Sequence, residues 1–111
     1  MNSISWKDFS KIDMRVGTIL EVEDFPEAKK PAYKLLIDFG ALGKRKSSAQ
    51  ITALYKKEEL VGQQIIAVVN FPKKQIGPFM SECLVIGIYG DNSDVILIQP
   101  SKKAKNGWKV G

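Results

Sequence analysis

The sequence contains no histidine and a single cysteine, Cys83, in 111 residues. Without histidine, His-based triads, His-ligated zinc and imidazole general bases are excluded. One thiol excludes a Cys-cluster metal site and an internal disulfide, which fits a reducing, cytoplasmic setting. No apolar run approaches the ~20 residues that span a bilayer, so no membrane partner is expected. The opening residues, MNSISWKDFS, lack the basic and apolar regions of a signal peptide. Neither the GxxxxGK nor the GxGxxG phosphate-cradling pattern occurs. Catalysis would have to rest on carboxylates, lysine, tyrosine or the lone thiol, and no spacing gathers them. The expectation is no catalytic residue, no metal and no cofactor.

What is present is enough apolar content, 44%, for one modest core, and a length that suits one domain over residues 1–111. Seventeen Lys and Arg oppose twelve Asp and Glu, a formal charge of +5. From Lys44 to Lys74 there are seven basic residues and two acidic ones, so that window carries the whole excess. Lys102, Lys103 and Lys105 form a second basic cluster, and Glu21, Glu23, Asp24 and Glu27 an acidic stretch. Such concentration is the electrostatic footprint of a polyanion partner. Its competitor is plain solubility.

Along the chain, Ser3 or Ser5 caps a short helix through Lys11. Ile12 to Asp24 reads as a long strand with Val16, Thr18, Leu20 and Val22 on one face and Gly17 as a place to bend. Pro26 and Pro31 bracket a loop. Tyr33, Leu35, Ile37 and Phe39 alternate with Lys34, Leu36 and Asp38 in a second strand. Lys44 to Thr52 is a third, polar strand. Ala53 to Val61 is a helix capped by Thr52 and ended by Gly62. Gln64 to Phe71 and Glu82 to Tyr89 are apolar runs suited to burial on both faces. Gly90 to Ser93 turns the chain back into a last strand, Val95 to Ile98. Short, regularly spaced strands with one helix between the third and fourth predict an all-β, five-stranded Greek-key OB-fold barrel. An SH3-like barrel has no natural place for that helix.

Three segments go further: Asp13-Met14-Arg15-Val16-Gly17, Ser47-Ser48-Ala49-Gln50-Ile51-Thr52, and Val68 to Ile76 leading into Phe79-Met80-Ser81-Glu82. Together, over about residues 10–111, they resemble the tRNA-binding domains found alone or appended to some aminoacyl-tRNA synthetases, and most of all the CsaA-type group. The resemblance implies the OB-fold, a tRNA partner, an export-related chaperone role toward unfolded or precursor polypeptides, and a homodimer built from terminal extensions. It places Asn70, Lys73, Ser81 and Glu82 at characteristic positions of strands 4 and 5, with Ser48 and Gln50 at the polar positions of strand 3. Met80 stands where CsaA-type sequences commonly carry a basic residue.

The residues themselves suggest how binding would work. Lys73 and Lys74 suit phosphates, as do Arg45 and Lys46, beside a polar face of Ser47, Ser48, Gln50 and Thr52. Phe79, in a Gly77-Pro78 loop, either stacks on an unpaired base or plugs one barrel end. Asn70 either reads a base edge or closes its strand by bonding local backbone. Glu82 would repel phosphate, so it either accepts from a base amino group or supports the loop. Asp13 and Arg15 point the same way and form a local, structural pair. Cys83 is a buried small hydrophobe. Trp6, Phe9 and Ile12 in one terminal extension (1–11), and Trp108 and Val110 in the other (99–111), either cap their own barrel or cross a two-fold interface. A tRNA-binding module leads, a polypeptide-binding chaperone is the alternative, and an oligosaccharide binder leaves the basic window without a reason.

Overall fold

The computed structural model describes all 111 residues. Ser5 starts α1 (Trp6–Ser10): its Oγ accepts the Asp8 N–H at 3.0 Å, and the Asp8 carboxylate accepts the Ser5 N–H at 3.2 Å. This reciprocal box satisfies two helix-end donors. β1 (Met14–Asp24), β2 (Tyr33–Asp38) and β3 (Lys44–Ala49) follow as an antiparallel meander. After α2 (Lys57–Leu60), β4 (Gln64–Val68) returns along the opposite edge of β1. A hairpin of β5 (Lys74–Ile76) and β6 (Phe79–Ser81) precedes β7 (Leu84–Val85), which pairs with β4. β8 (Gly87–Tyr89) and β9 (Val95–Leu97) form a second hairpin, and β10 (Lys109–Val110) pairs with the start of β1. The main sheet runs β3-β2-β1-β4-β7 and curls into a nearly closed, OB-like all-β barrel.

A short polar seam closes the barrel between β3 and residues 81–83. Lys46 N–H donates to Glu82 Oε1 at 2.9 Å, and Glu82 N–H returns a bond to the Lys46 carbonyl at 2.8 Å. Ser48 N–H donates to Ser81 Oγ at 3.3 Å, and the wholly buried Ser47 Oγ donates to the Cys83 carbonyl at 2.9 Å. Side chains here supply the partners that a continuous backbone ladder would otherwise provide.

The second strand follows its alternation: Leu35, Ile37 and Phe39 are inaccessible in the core with Ile19, Leu60 and Ile65. Burying a ring such as Phe39 contributes roughly 1.5–3 kcal/mol. Residues 65–69 are buried on both faces, as their unbroken apolar run requires. Asp13 and Arg15 pair at 2.6 Å.

Three expectations need correction. In β1 the face changes at a bulge between Ile19 and Glu21, so Ile19, not Thr18 or Leu20, enters the core. At Gly17 a Cβ would meet Ile37 Cγ2 at 2.6 Å and Phe39 Cε1 at 2.7 Å, so close packing against the second strand requires glycine there. The helix expected over 53–61 is one turn begun by Lys56, whose N–H bonds Glu59 Oε1 at 2.9 Å. Tyr55 keeps the preceding residues out of it, since its carbonyl accepts the Tyr33 hydroxyl and its hydroxyl accepts the Leu97 N–H. Gly62, at φ +89°, does end the helix as expected. Finally, only Cys83 of the 82–89 run is buried: Val85 and Ile86 are partly covered, Leu84 and Ile88 are about half exposed, and Tyr89 is almost wholly exposed.

Candidate nucleic-acid interface

Period two in β3 sorts the basic and polar residues of the 44–52 window onto opposite faces. Lys46 and Ser48 face outward, opposite Leu36 and Lys34 of β2, while Arg45, Ser47 and Ala49 turn toward the interior. The expected single polar face is thus two faces. The outward one continues across β2 into the exposed Glu21 and Glu23 of β1, beyond the bulge.

The β5–β6 hairpin leans over this wall. Its tip comes against the loop after β1, where Gly77 lies beside Glu27. There the Phe79 and Phe25 rings meet edge to face at 5.3 Å, Phe25 buried and Phe79 partly open. Lys46 Nζ stands 5.5 Å from the Phe79 ring centre, and Lys34 Nζ 5.7 Å from that of Phe25. Between them is a slot of about 290 Å³ lined by Glu21, Glu23, Lys34, Leu36, Lys46 and Phe79. It offers one aromatic surface, two ammonium groups and a carboxylate rim.

The expected binding residues divide. Lys46 and Phe79 meet at the slot, and Ser48 stands beside it, opposite Lys34. Ser81 and Glu82 sit beside it in the barrel seam, and Lys73 lies 3.5 Å from Glu82 Oε2 with its own side chain two-thirds exposed. The Lys46 N–H, chiefly, with Lys73 behind it, holds the Glu82 carboxyl below the ordinary carboxylate range. Lys74 and Gln50 are exposed and make no ion pair or side-chain hydrogen bond to this cluster.

Arg45 and Asn70 lie elsewhere, at the barrel base. Arg45 Nη1 donates to the Val69 carbonyl at 2.7 Å. Asn70 uses both ends of its amide on backbone: Oδ1 accepts the Asp13 N–H at 3.0 Å and Nδ2 donates to the Lys11 carbonyl at 2.6 Å. Asn70 thus closes its strand, and its exposed amide keeps one N–H and one oxygen lone pair beyond these two bonds. Asp13 there is held below its ordinary pKa, first by its hydrogen bond from Arg15 and further by Lys109 and Arg45. Burial pushes the Cys83 thiol up to about 11, so it is not a thiolate at neutral pH.

Sequence reasoning missed Lys34, Leu36 and Phe25. The signal for the first two was present: they alternate with the inward residues of β2. Phe25 carried none, because only the fold brings its loop against Phe79. The apolar terminal residues also converge. Val110 pairs with Met14, and the Trp108 carbonyl accepts the Val16 N–H, which places both chain ends at the start of β1. Trp6 and Trp108 are mostly exposed, Ile12 is exposed to a lesser degree, and Phe9 and Val110 are half-buried.

Residues 14–109 match a family described as "Putative tRNA binding domain". The chain is similar to the crystal structure of the chaperone CsaA from Bacillus anthracis, with a TM-score of 0.95 and 48% identity over 99% of this chain and 100% of that one. It is similar to the CsaA chaperone protein from Picrophilus torridus, with a TM-score of 0.92 and 55% identity over 98% and 100%. It is also 36% identical over 110 residues to the methionine–tRNA ligase of Methanocaldococcus jannaschii; this covers 99% of the chain but only 17% of that ligase.

Proposed function

The chain belongs to the tRNA-binding domain family, in its CsaA-type branch, and from that premise we propose that it binds tRNA without catalysis along the outer wall of β2 and β3. The observation that carries this reading is the slot in which Lys46 and Phe79 stand together above Lys34 and Leu36. An unpaired base stacked on Phe79 would gain roughly 1–3 kcal/mol. Lys46 and Lys34 meet the phosphates on either side, and Ser48 reaches sugar or base. Glu21 and Glu23 repel a second phosphate strand, so looped parts of tRNA suit the slot better than duplex. Exposed Lys73, Lys74 and Gln50 extend the contact, while Ser81, Glu82, Arg45 and Asn70 hold the barrel that presents it.

The test is titration of labelled tRNA at several salt concentrations with Lys46→Gln/Phe79→Ala. Affinity falls by about 10- to 100-fold and the salt slope flattens by about one. Unchanged binding, or equal affinity for duplex DNA, would sink the slot as the tRNA site.

A second reading, polypeptide binding, is favoured by the outward face of β7 to β9. Leu84, Ile88, Ile96 and Ile98 are exposed there, and Ile88 pairs directly with Ile96. An unfolded client would bind this face with little salt dependence and lose affinity in Ile88→Glu/Ile96→Glu. The whole of residues 1–111 acts as one cytoplasmic domain in this proposal. Trp6, Phe9, Ile12, Trp108 and Val110 make the two-fold contact of a homodimer.

A further inference from the structure

The second basic cluster, Lys102, Lys103 and Lys105, is not part of the slot. We propose that the concavity it lines is a separate site for RNA backbone phosphates, engaged by the same strand that enters the slot; this rests on the tRNA-binding reading.

The concavity measures about 670 Å³ and lies between the 99–106 loop and the Thr18, Gln63 and Gln64 positions of the barrel wall. Its lining contains three lysines, no carboxylate and no aromatic side chain. None of the three lysines takes part in an ion pair, whereas Lys11, Lys34, Lys57 and Lys73 each have a carboxylate within 4.0 Å. A lining of ammonium, amide and hydroxyl groups attracts phosphate and has no surface on which a base would stack. It therefore fits backbone contact that carries no sequence information.

The loop is held in place before any ligand arrives. Gln64 clips it at two points, with Nε2 donating to the Ala104 carbonyl at 2.7 Å and Oε1 accepting the Ala104 N–H at 2.9 Å. Asn106 Oδ1 accepts from Thr18 Oγ1 at 2.7 Å and from Gln64 Nε2 at 3.3 Å. That fixes Asn106 in one orientation and leaves its Nδ2 donor outside these bonds. Gly107, at φ +92°, closes the loop where a Cβ would meet the Phe39 carbonyl oxygen at 2.6 Å. Lys103 and Lys105 thus flank a clamped residue, which lowers the ordering cost of binding.

Register connects the two sites. Thr18 pairs with Asp38, and Glu23 pairs with Lys34, so the concavity and the slot occupy opposite ends of the same outer wall of β1 and β2. The five residue steps of β1 from Thr18 to Glu23 cover about 16 Å, the length of about five stacked nucleotides.

The experiment compares wild type, Lys102→Gln/Lys103→Gln/Lys105→Gln and Lys34→Gln/Lys46→Gln, each checked for an unchanged melting temperature. Binding of labelled tRNA and of a single-stranded trinucleotide is followed against salt. The loop variant is expected to weaken tRNA about tenfold and flatten its salt slope by about two, with the trinucleotide unaffected. Unchanged tRNA binding in the loop variant, with weakening in the wall variant, overturns this site and leaves the slot standing. The converse result keeps this site and removes the slot. Equal loss of tRNA and trinucleotide in the loop variant means a diffuse charge effect and overturns the proposal. Inorganic tripolyphosphate is the control for a small phosphorylated ligand: if it shifts the 101–106 amide resonances while tRNA does not bind, the RNA assignment falls.

Discussion

Ser47 and Ser48 are neighbours with the same side chain, and the fold uses them in opposite ways. Ser47 turns inward, is wholly buried, and gives its hydroxyl to the Cys83 carbonyl. Ser48 turns outward onto the wall beside the slot; its N–H donates to Ser81 Oγ, and its own hydroxyl makes no hydrogen bond within the protein. The same contrast separates Arg45, which caps the Val69 carbonyl at the barrel base, from Lys46, whose ammonium stands free above Phe79. Residue type alone therefore says little about binding in this chain. What matters is whether a side chain's hydrogen-bonding capacity is already used by the fold.

Ser47→Val should break the inward side most severely. It takes away the shorter of the two hydroxyl bonds to the buried Cys83 carbonyl and leaves only Ser81 Oγ at 3.4 Å, at a cost of about 1–3 kcal/mol. Thermal unfolding should shift down by about 4–8 °C for each kcal/mol lost, with tRNA affinity below the transition unchanged. An unaltered melting temperature would show that the seam does not depend on this hydroxyl.

Glu82→Gln sharpens the comparison through pH. Because the folded state lowers the Glu82 pKa, its contribution is whole above the ordinary value of 4.5 and is lost as pH falls through the depressed folded value. The variant should lose about 1–2 kcal/mol at neutral pH and show a flatter decline on the acid side. Parallel acid profiles for variant and wild type would rule out the carboxylate as the seam's anchor.

The smallest effects come from the adjacent pair Arg45→Gln and Lys46→Gln, which remove the same charge from opposite faces. Arg45→Gln should cost about 1 kcal/mol of stability and leave the salt slope of tRNA binding alone. Lys46→Gln should flatten that slope by about 0.7–0.9 and leave the melting temperature alone. Calorimetry and anisotropy on the two proteins read both quantities, and an exchange of these outcomes would invert the assignment of faces.

Much of this was legible in the order of residues. The alternation in 33–39 and the unbroken run of 65–69 identified core strands, because period and apolar content are local properties. The charge window and the three motif segments pointed to a polyanion and to the family. The motif residues were harder to assign. Asn70, Ser81 and Glu82 looked like ligand contacts, yet the fold uses the first to fasten the chain before β1 and the other two to close the barrel. A motif records that particular residues are needed together and does not say whether a ligand or the backbone needs them.

Composition and periodicity by themselves determined a small all-β barrel with a basic middle and no histidine chemistry. Tertiary structure decided which side of each strand faces out, through one bulge after Ile19 and the parity of β3. It also decided that Phe25 meets Phe79, and that Gln64 clamps a lysine-bearing loop 40 residues further along the chain. The physical reason is range. Propensity and alternation act between near neighbours, whereas a hydrogen bond between distant residues exists only after the intervening chain has folded.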